Sequence, residues 1–152
     1  MQFDQYASQR RSGFSLSRAG ARVGAFAPQI LSILRIVAAL LFLEHGTSRL
    51  FGFPSPLPTP PFLTMYWFAG TIELVGGLLL LGGLFTRAAA LIMSGEMAAA
   101  YFISHAPHSF FPILNRGDSA ILYCFVFFYI AVAGAGPLSL DAIWRKRRDS
   151  GS

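Results

Sequence analysis

Glu73 is the residue for which chemistry is most readily written. It lies in the stretch 69–87, AGTIELVGGLLLLGGLFTR, an apolar run holding one carboxylate and ending in arginine. On a helix, Gly70, Glu73, Gly76 and Gly77 fall within an arc of about 120° centred on Glu73, while Leu74, Val75, Leu78 and Leu79 point elsewhere. Small residues let a second helix approach closely, and a glutamate in hydrocarbon costs a few kcal/mol unless it is paired, protonated or wet. Glu73 is therefore expected to face protein rather than lipid. It serves either as a folding pair or as a group that handles a proton or a polar ligand.

Other ionisable residues share this setting. Arg35, Glu44, His45 and Arg49 lie in the apolar stretch 28–50, with Glu44 on nearly the opposite helical face from Arg35. Glu96 lies in the alanine-rich stretch 88–104, where Ala89, Ala99 and Ala100 share its face and define a second expected close-packing surface. Asn115 and Asp118 have the spacing of a capping box, which accounts for both without catalysis. His45 reads as a hydrogen-bonded histidine rather than a metal ligand. His105 and His108 have Pro107 between them and no cysteine nearby, so no metal site is expected.

These groups have to be positioned by membrane-spanning helices. The 152-residue chain is 54% hydrophobic and 12% charged, with mean hydropathy +0.54, too apolar for an ordinary soluble domain. Its apolar stretches, 28–50, 61–85, 88–104 and 118–135, each approach the ~20 residues that cross a bilayer. The fold expected is an all-α, four-helix transmembrane bundle over residues 28–137, preceded by a flexible basic arm at 1–27 and followed by a basic tail at 138–152. Ser139 can cap a short interfacial helix from Leu140 to Arg147, carrying Trp144. Prolines at 54, 56, 58, 60 and 61 make a stiff connection between the first two spans.

The net charge of +5 is distributed as topology information rather than as a nucleic-acid surface. Arg10, Arg11, Arg18 and Arg22 precede the first span, Arg87 sits between the second and third, and Arg145, Lys146, Arg147 and Arg148 follow the fourth. Both termini and the 86–87 turn are thus expected in the cytoplasm, with Arg49 and Arg116 as outnumbered exceptions outside. The first apolar run is long, carries Arg35 and starts near residue 28, which argues against a cleavable signal peptide. Cys124 is the single cysteine, so an intrachain disulfide or CxxC chemistry is excluded.

Depth counting gives two spatial expectations. Arg35 lies roughly 10 Å in from the cytoplasmic end, Glu96 roughly 13 Å and Glu73 roughly 17 Å, so Arg35 is expected to pair with Glu96. Glu44, His45, Arg49, His105, Asn115 and Asp118 lie at outer helix ends and are expected to gather above Glu73.

Several blocks in order resemble the DoxX family of small bacterial inner-membrane proteins. They are Glu44-His45-Gly46-Thr47-Ser48-Arg49-Leu50-Phe51-Gly52-Phe53-Pro54, then Gly70-x-x-Glu73-x-x-Gly76-Gly77 through Gly83-Leu84-Phe85-Thr86-Arg87, then Asn115-x-Gly117-Asp118, then Gly136-Pro137-Leu138-Ser139-Leu140-Asp141. The resemblance runs from about Ile30 to Trp144; Arg49 stands where the family often has Lys and Asp118 where it often has Glu. It implies a multi-pass four-helix protein of the bacterial inner membrane, with members associated with a thiosulfate:quinone oxidoreductase and with complexes tied to oxidative stress. On that basis the chain is expected to be a membrane subunit or anchor of a redox complex, not an enzyme alone. No haem, Fe–S or nucleotide motif is present, so no covalent cofactor is expected and a diffusible quinone is the carrier to consider. Expected partners are membrane lipids and a protein partner or second copy, without nucleic acid. A small-solute or proton-coupled transporter and a purely structural scaffold are the alternatives.

Overall fold

In a computed structural model, which describes residues 20–151 apart from Arg22 and Leu57, the protein is helical and the described residues contain no β-strand. The basic arm expected at 1–27 lies, through residue 19 and at Arg22, outside the described residues. Helix α1 spans Ala27–Phe51, α2 Met65–Gly82 and α3 Thr86–Ala100. The third helix then widens into a π-helical turn, Tyr101–His105, and tightens into a 3-10 turn, Ala106–His108. A single turn, α4 (Pro112–Asn115), precedes α5 (Asp118–Ala133), and α6 (Leu140–Asp149) ends the described chain.

Local chemistry sets most of these boundaries. Pro28 stands in the first turn of α1, where a missing N–H is harmless, and Gly52 ends that helix at φ 67°, a left-handed cap suited to glycine. Thr64 caps α2 by accepting from the Trp67 N–H, and Gly83 closes it at φ 65°. Ser139 accepts from the Ala142 N–H at 3.1 Å, so α6 begins where its sequence announces it. The capping box expected at Asn115 and Asp118 does not form. Asn115 Oδ1 instead accepts from the Gly117 N–H at 2.8 Å, a turn two residues long that leaves Gly117 as the N-cap of α5.

Helix α1 packs along α2, α3 along α5, and α2 against α3, with α1 also touching α5. The shared interior holds Ala38, Ala39, Phe42, Leu80, Ala90, Met93, Phe127 and Ile130. The rings of Phe42 and Phe127 meet edge-to-face at 4.8 Å. Alanines and glycines at the crossings bring backbones close: a Cβ on Gly46 would lie 2.7 Å from the backbone nitrogen of Leu74.

The outer surface is as apolar as the interior. Ile33, Val37, Leu40, Val75, Leu78, Leu91, Ile92, Leu122, Phe125 and Val132 are all exposed. Helices α1 and α2 are long and apolar enough to cross a membrane, and only 28% of the most apolar stretch of each is buried. Core helices of a soluble protein would be mostly enclosed, so this exposed belt points to lipid as the surrounding solvent.

The expected Arg35–Glu96 pair is not formed. Arg35 is fully buried and ends in a nest of carbonyls: Nε donates to Ala135 O at 2.9 Å, Nη1 to Leu81 O at 3.0 Å and also to Leu80 O, and Nη2 to Leu138 O. The last turn of α2 leaves carbonyls without intrahelical partners at the negative end of the helix dipole, and a five-donor guanidinium matches them. Position along a helix axis does not say which neighbour a side chain turns toward.

Candidate functional site

The C-terminal half of α1, the N-terminal half of α2 and the C-terminal half of α3 bring the candidate polar residues together at one end of the helices. Glu73 is 1% exposed in its glycine setting and accepts two hydrogen bonds from Arg49, Nε to Oε2 at 3.1 Å and Nη2 to Oε1 at 3.0 Å. This bidentate geometry is the strong form of an ion pair. The glycines permit it. A Cβ on Gly70 would lie 3.1 Å from Arg49 Cδ, while Gly77 faces Leu43 of α1 and Gly76 faces Met93 of α3. The arc read around Glu73 is thus the buried face of α2.

The Arg49 guanidinium also lies over the Tyr66 ring, with Cζ 5.7 Å from its centroid. Beyond this pair opens a cavity of about 450 Å3 lined by Arg49, Tyr66, Ile72, Glu96, Ile103 and His105 among others. Glu96 is half-buried, and its Oε2 is buried without a hydrogen-bond partner among the described residues. Of the close-packing face expected around Glu96, Ala89 is buried and Ala100 partly buried, but the face does not close at Glu96 itself. Ala99 is exposed, and beside Ala89 the buried face of α3 carries Ala90, Met93, Ser94 and Met97. Met93 and Met97 fill the α3 crossings with larger side chains, so Glu96 is turned toward the cavity rim.

The C-terminal end of the third helix is fastened to the segment that follows it. His105 Nδ1 hydrogen bonds with Asn115 O at 3.0 Å, Asn115 Nδ2 donates to Ser109 O at 2.8 Å, and Gly117 fits where a Cβ would lie 2.7 Å from the Tyr101 ring. Asn115 therefore ties the segment after the π-helical turn to His105, which borders the cavity.

The single outer cluster expected from helix-end depth divides in two. Arg49 and His105 border the larger cavity, whereas Glu44, His45, Ser48 and Arg49 border a smaller one of about 320 Å3 beneath Pro54 and Ser55. His45 is exposed, with Nδ1 bonded to Leu41 O at 2.9 Å, and Asp118 is exposed at the start of α5. Arg49 is the one residue common to both cavities. Among the described residues, no group of three or more His, Cys, Asp or Glu side chains could hold a metal ion.

Two positions escaped sequence reasoning. Tyr66 gives no signal beyond being an aromatic near a helix start. Asp141 appears only inside a sequence block, yet its Oδ1 and Oδ2 accept from the Phe85 and Thr86 N–H groups at 3.0 Å each, capping α3 from 55 residues away.

The family model DoxX matches residues 30–106 of this chain. A protein of Haemophilus influenzae, described as uncharacterized, is 44% identical over 125 residues, covering 76% of this chain and 91% of the relative. No solved structure matches the chain.

Proposed function

Since this chain belongs to the DoxX family of membrane proteins, we propose that it is a four-helix subunit of the bacterial inner membrane, both termini cytoplasmic, that binds a quinone and anchors a redox or oxidative-stress-defence complex. The lengths of the helices support four crossings. Counting the π-helical turn, the third helix runs unbroken from residue 86 to 105, about 30 Å at 1.5 Å per residue. Arg87, Arg145, Lys146, Arg147 and Arg148 then lie at one end, which the positive-inside rule assigns to the cytoplasm.

The observation that carries the quinone reading is the 450 Å3 cavity with an apolar wall and a polar end. Its size is that of a small-ligand site, about 300–1,000 Å3. Ile72, Ile92 and Ile103 offer an aliphatic surface to a ring, Arg49 offers N–H groups for a carbonyl, His105 Nε2 offers an acceptor for a quinol hydroxyl because its Nδ1–H is given to Asn115 O, and the spare oxygen of Glu96 offers a place for a proton. A bound quinone would supply the two-electron, two-proton chemistry; this chain would orient the ring and exclude bulk water. The electron donor would belong to a partner protein.

The packed inner half favours this reading over transport. Arg35, Phe42, Leu80, Met93, Phe127 and Ile130 are each less than 2% exposed, so the interior is filled on the cytoplasmic side of Glu73. A pocket that ends in packed side chains suits binding better than passage.

The test is purification from native membranes in gentle detergent, with mass spectrometry of copurifying proteins and extracted quinones. Wild-type protein should retain close to one quinone per chain, and Ile103→Trp, which fills the cavity from an exposed position, should lose it while remaining folded. Equal retention by wild type and Ile103→Trp, or none by either, would reject the site.

A further inference from the structure

A second cavity, of about 950 Å3, lies at the opposite end of the molecule, between α6 and the turn joining α2 to α3. Phe85 and Trp144, edge-to-face with centroids 6.2 Å apart, form an aromatic wall, and Arg87, Arg145, Arg147 and Arg148 line the opening. Asp141 and Asp149 line it too. The Asp141 carboxylate is already engaged by the positive end of α3, and Asp149 sits at the exposed last residue of α6. Even apart from Arg148, the guanidinium groups of Arg87, Arg145 and Arg147 line the cavity beside two carboxylates, one of them satisfied by backbone N–H groups.

We infer that this cavity is a binding site for a phosphate-bearing dianion, the chemistry shared by a two-phosphate lipid headgroup and a soluble diphosphate. Guanidinium forks match phosphate oxygens bidentately. A phosphate occupies the space of only a few waters, at about 30 Å3 each, so the cavity has room for two. Part of the arrangement is rigid: Arg87 is held by hydrogen bonds from Nη1 to Ala131 O and Val132 O at the end of α5.

A lipid is the source favoured by the surroundings. Leu140, Ile143 and Trp144 are exposed and share one face of α6, with Arg147 at the C-terminal end of that same stripe and Arg145 beside it. An amphipathic helix of this kind lies with its apolar edge among acyl chains and its basic face at headgroup depth, where tryptophan also prefers to sit. The lipid source rests on the topology proposed above, whereas the phosphate chemistry is independent of it. Lys146 supplies an internal control: it carries the same charge on the same helix but does not line the cavity.

Full-length protein in mild detergent, titrated with diphosphatidylglycerol and followed by native mass spectrometry, should retain one lipid per chain. Arg145→Gln and Arg147→Gln should each weaken retention about tenfold, Arg147→Lys less, and Lys146→Gln under about twofold. Inorganic pyrophosphate, measured by calorimetry on the same samples without added lipid, distinguishes the sources. Arginine-dependent binding of pyrophosphate with no lipid retained supports the site with a soluble ligand. Equal weakening by Lys146→Gln and Arg147→Gln would mean diffuse attraction to anionic surfaces and would overturn the proposal, as would binding of neither probe. Unchanged thermal unfolding of the variants, monitored by tryptophan fluorescence, excludes misfolding as the cause of any loss.

Discussion

Arg49 of α1 and Glu73 of α2 meet through two parallel hydrogen bonds, of 3.1 and 3.0 Å, with the carboxylate almost wholly buried and the arginine side chain 30% exposed. The arrangement is asymmetric. Arg49 keeps an edge toward both the 450 Å3 and the 320 Å3 cavity, while Glu73 has the backbone of two close-packed helices around it. Removing the cation strands a buried anion, whereas removing the anion leaves a cation that can reach solvent.

Arg49→Leu should therefore cost more than Glu73→Gln, about 3–5 kcal/mol of stability against about 1–2 kcal/mol. Glu73→Leu should be worse than Glu73→Gln, because a branched side chain without a hydrogen-bonding end takes the place of the carboxylate among Gly70, Gly76 and Gly77. Unfolding in mixed micelles measures all three. Equal stability of Arg49→Leu and wild type would show the pair to be dispensable to the fold.

Arg35 should tolerate no replacement. Arg35→Met leaves the carbonyls of Leu81, Ala135 and Leu138 without the guanidinium donor and Leu80 O with only the Gly83 N–H, at about 1–3 kcal/mol for each buried group left unsatisfied. Arg35→Lys keeps the charge but offers a point ammonium where a fork spans two chain segments, so it should recover only part of the loss. Membrane-inserted yield and melting temperature should rank wild type above Lys above Met.

Two glycines make opposite predictions. Gly46→Ala puts a Cβ 2.7 Å from Leu74 N and 3.2 Å from Glu73 C, both backbone atoms that cannot step aside. It should force α1 from α2, cost about 1–3 kcal/mol and weaken the Arg49–Glu73 pair. Gly95→Ala meets nothing within 4 Å on an exposed helical face and should stabilise by about 0.5–1 kcal/mol. Thermal unfolding of the two single variants should move in opposite directions.

Asp141→Ala removes the cap of α3 and should cost about 1 kcal/mol, with Asp141→Asn intermediate because it keeps an acceptor but not the charge that favours a helix N-terminus. Hydrogen exchange at Phe85 and Thr86 should quicken in Asp141→Ala while exchange in the middle of α5 stays unchanged. Uniform acceleration throughout the chain would mean that Asp141 acts on global stability instead.

What the sequence determined by itself is what depends on near neighbours. Helix positions follow from apolar runs bounded by proline, glycine and hydroxyl caps, and α1 and α6 begin and end within two residues of where those signals place them. The burial of Glu73 follows from helical spacing, because Gly70, Gly76 and Gly77 share its face whatever helix lies opposite. The DoxX membership was likewise legible from ordered blocks of residues. Tertiary structure decided the partners. Glu73 found Arg49, Arg35 found backbone carbonyls supplied partly by a chain reversal at Gly134 and Gly136, and Asp141 found a helix start 55 residues away. Sequence spacing fixes a residue's depth and its face on its own helix. It leaves open how each helix is rotated against its neighbours and where a loop folds back, and those two variables set every long-range polar contact in this protein.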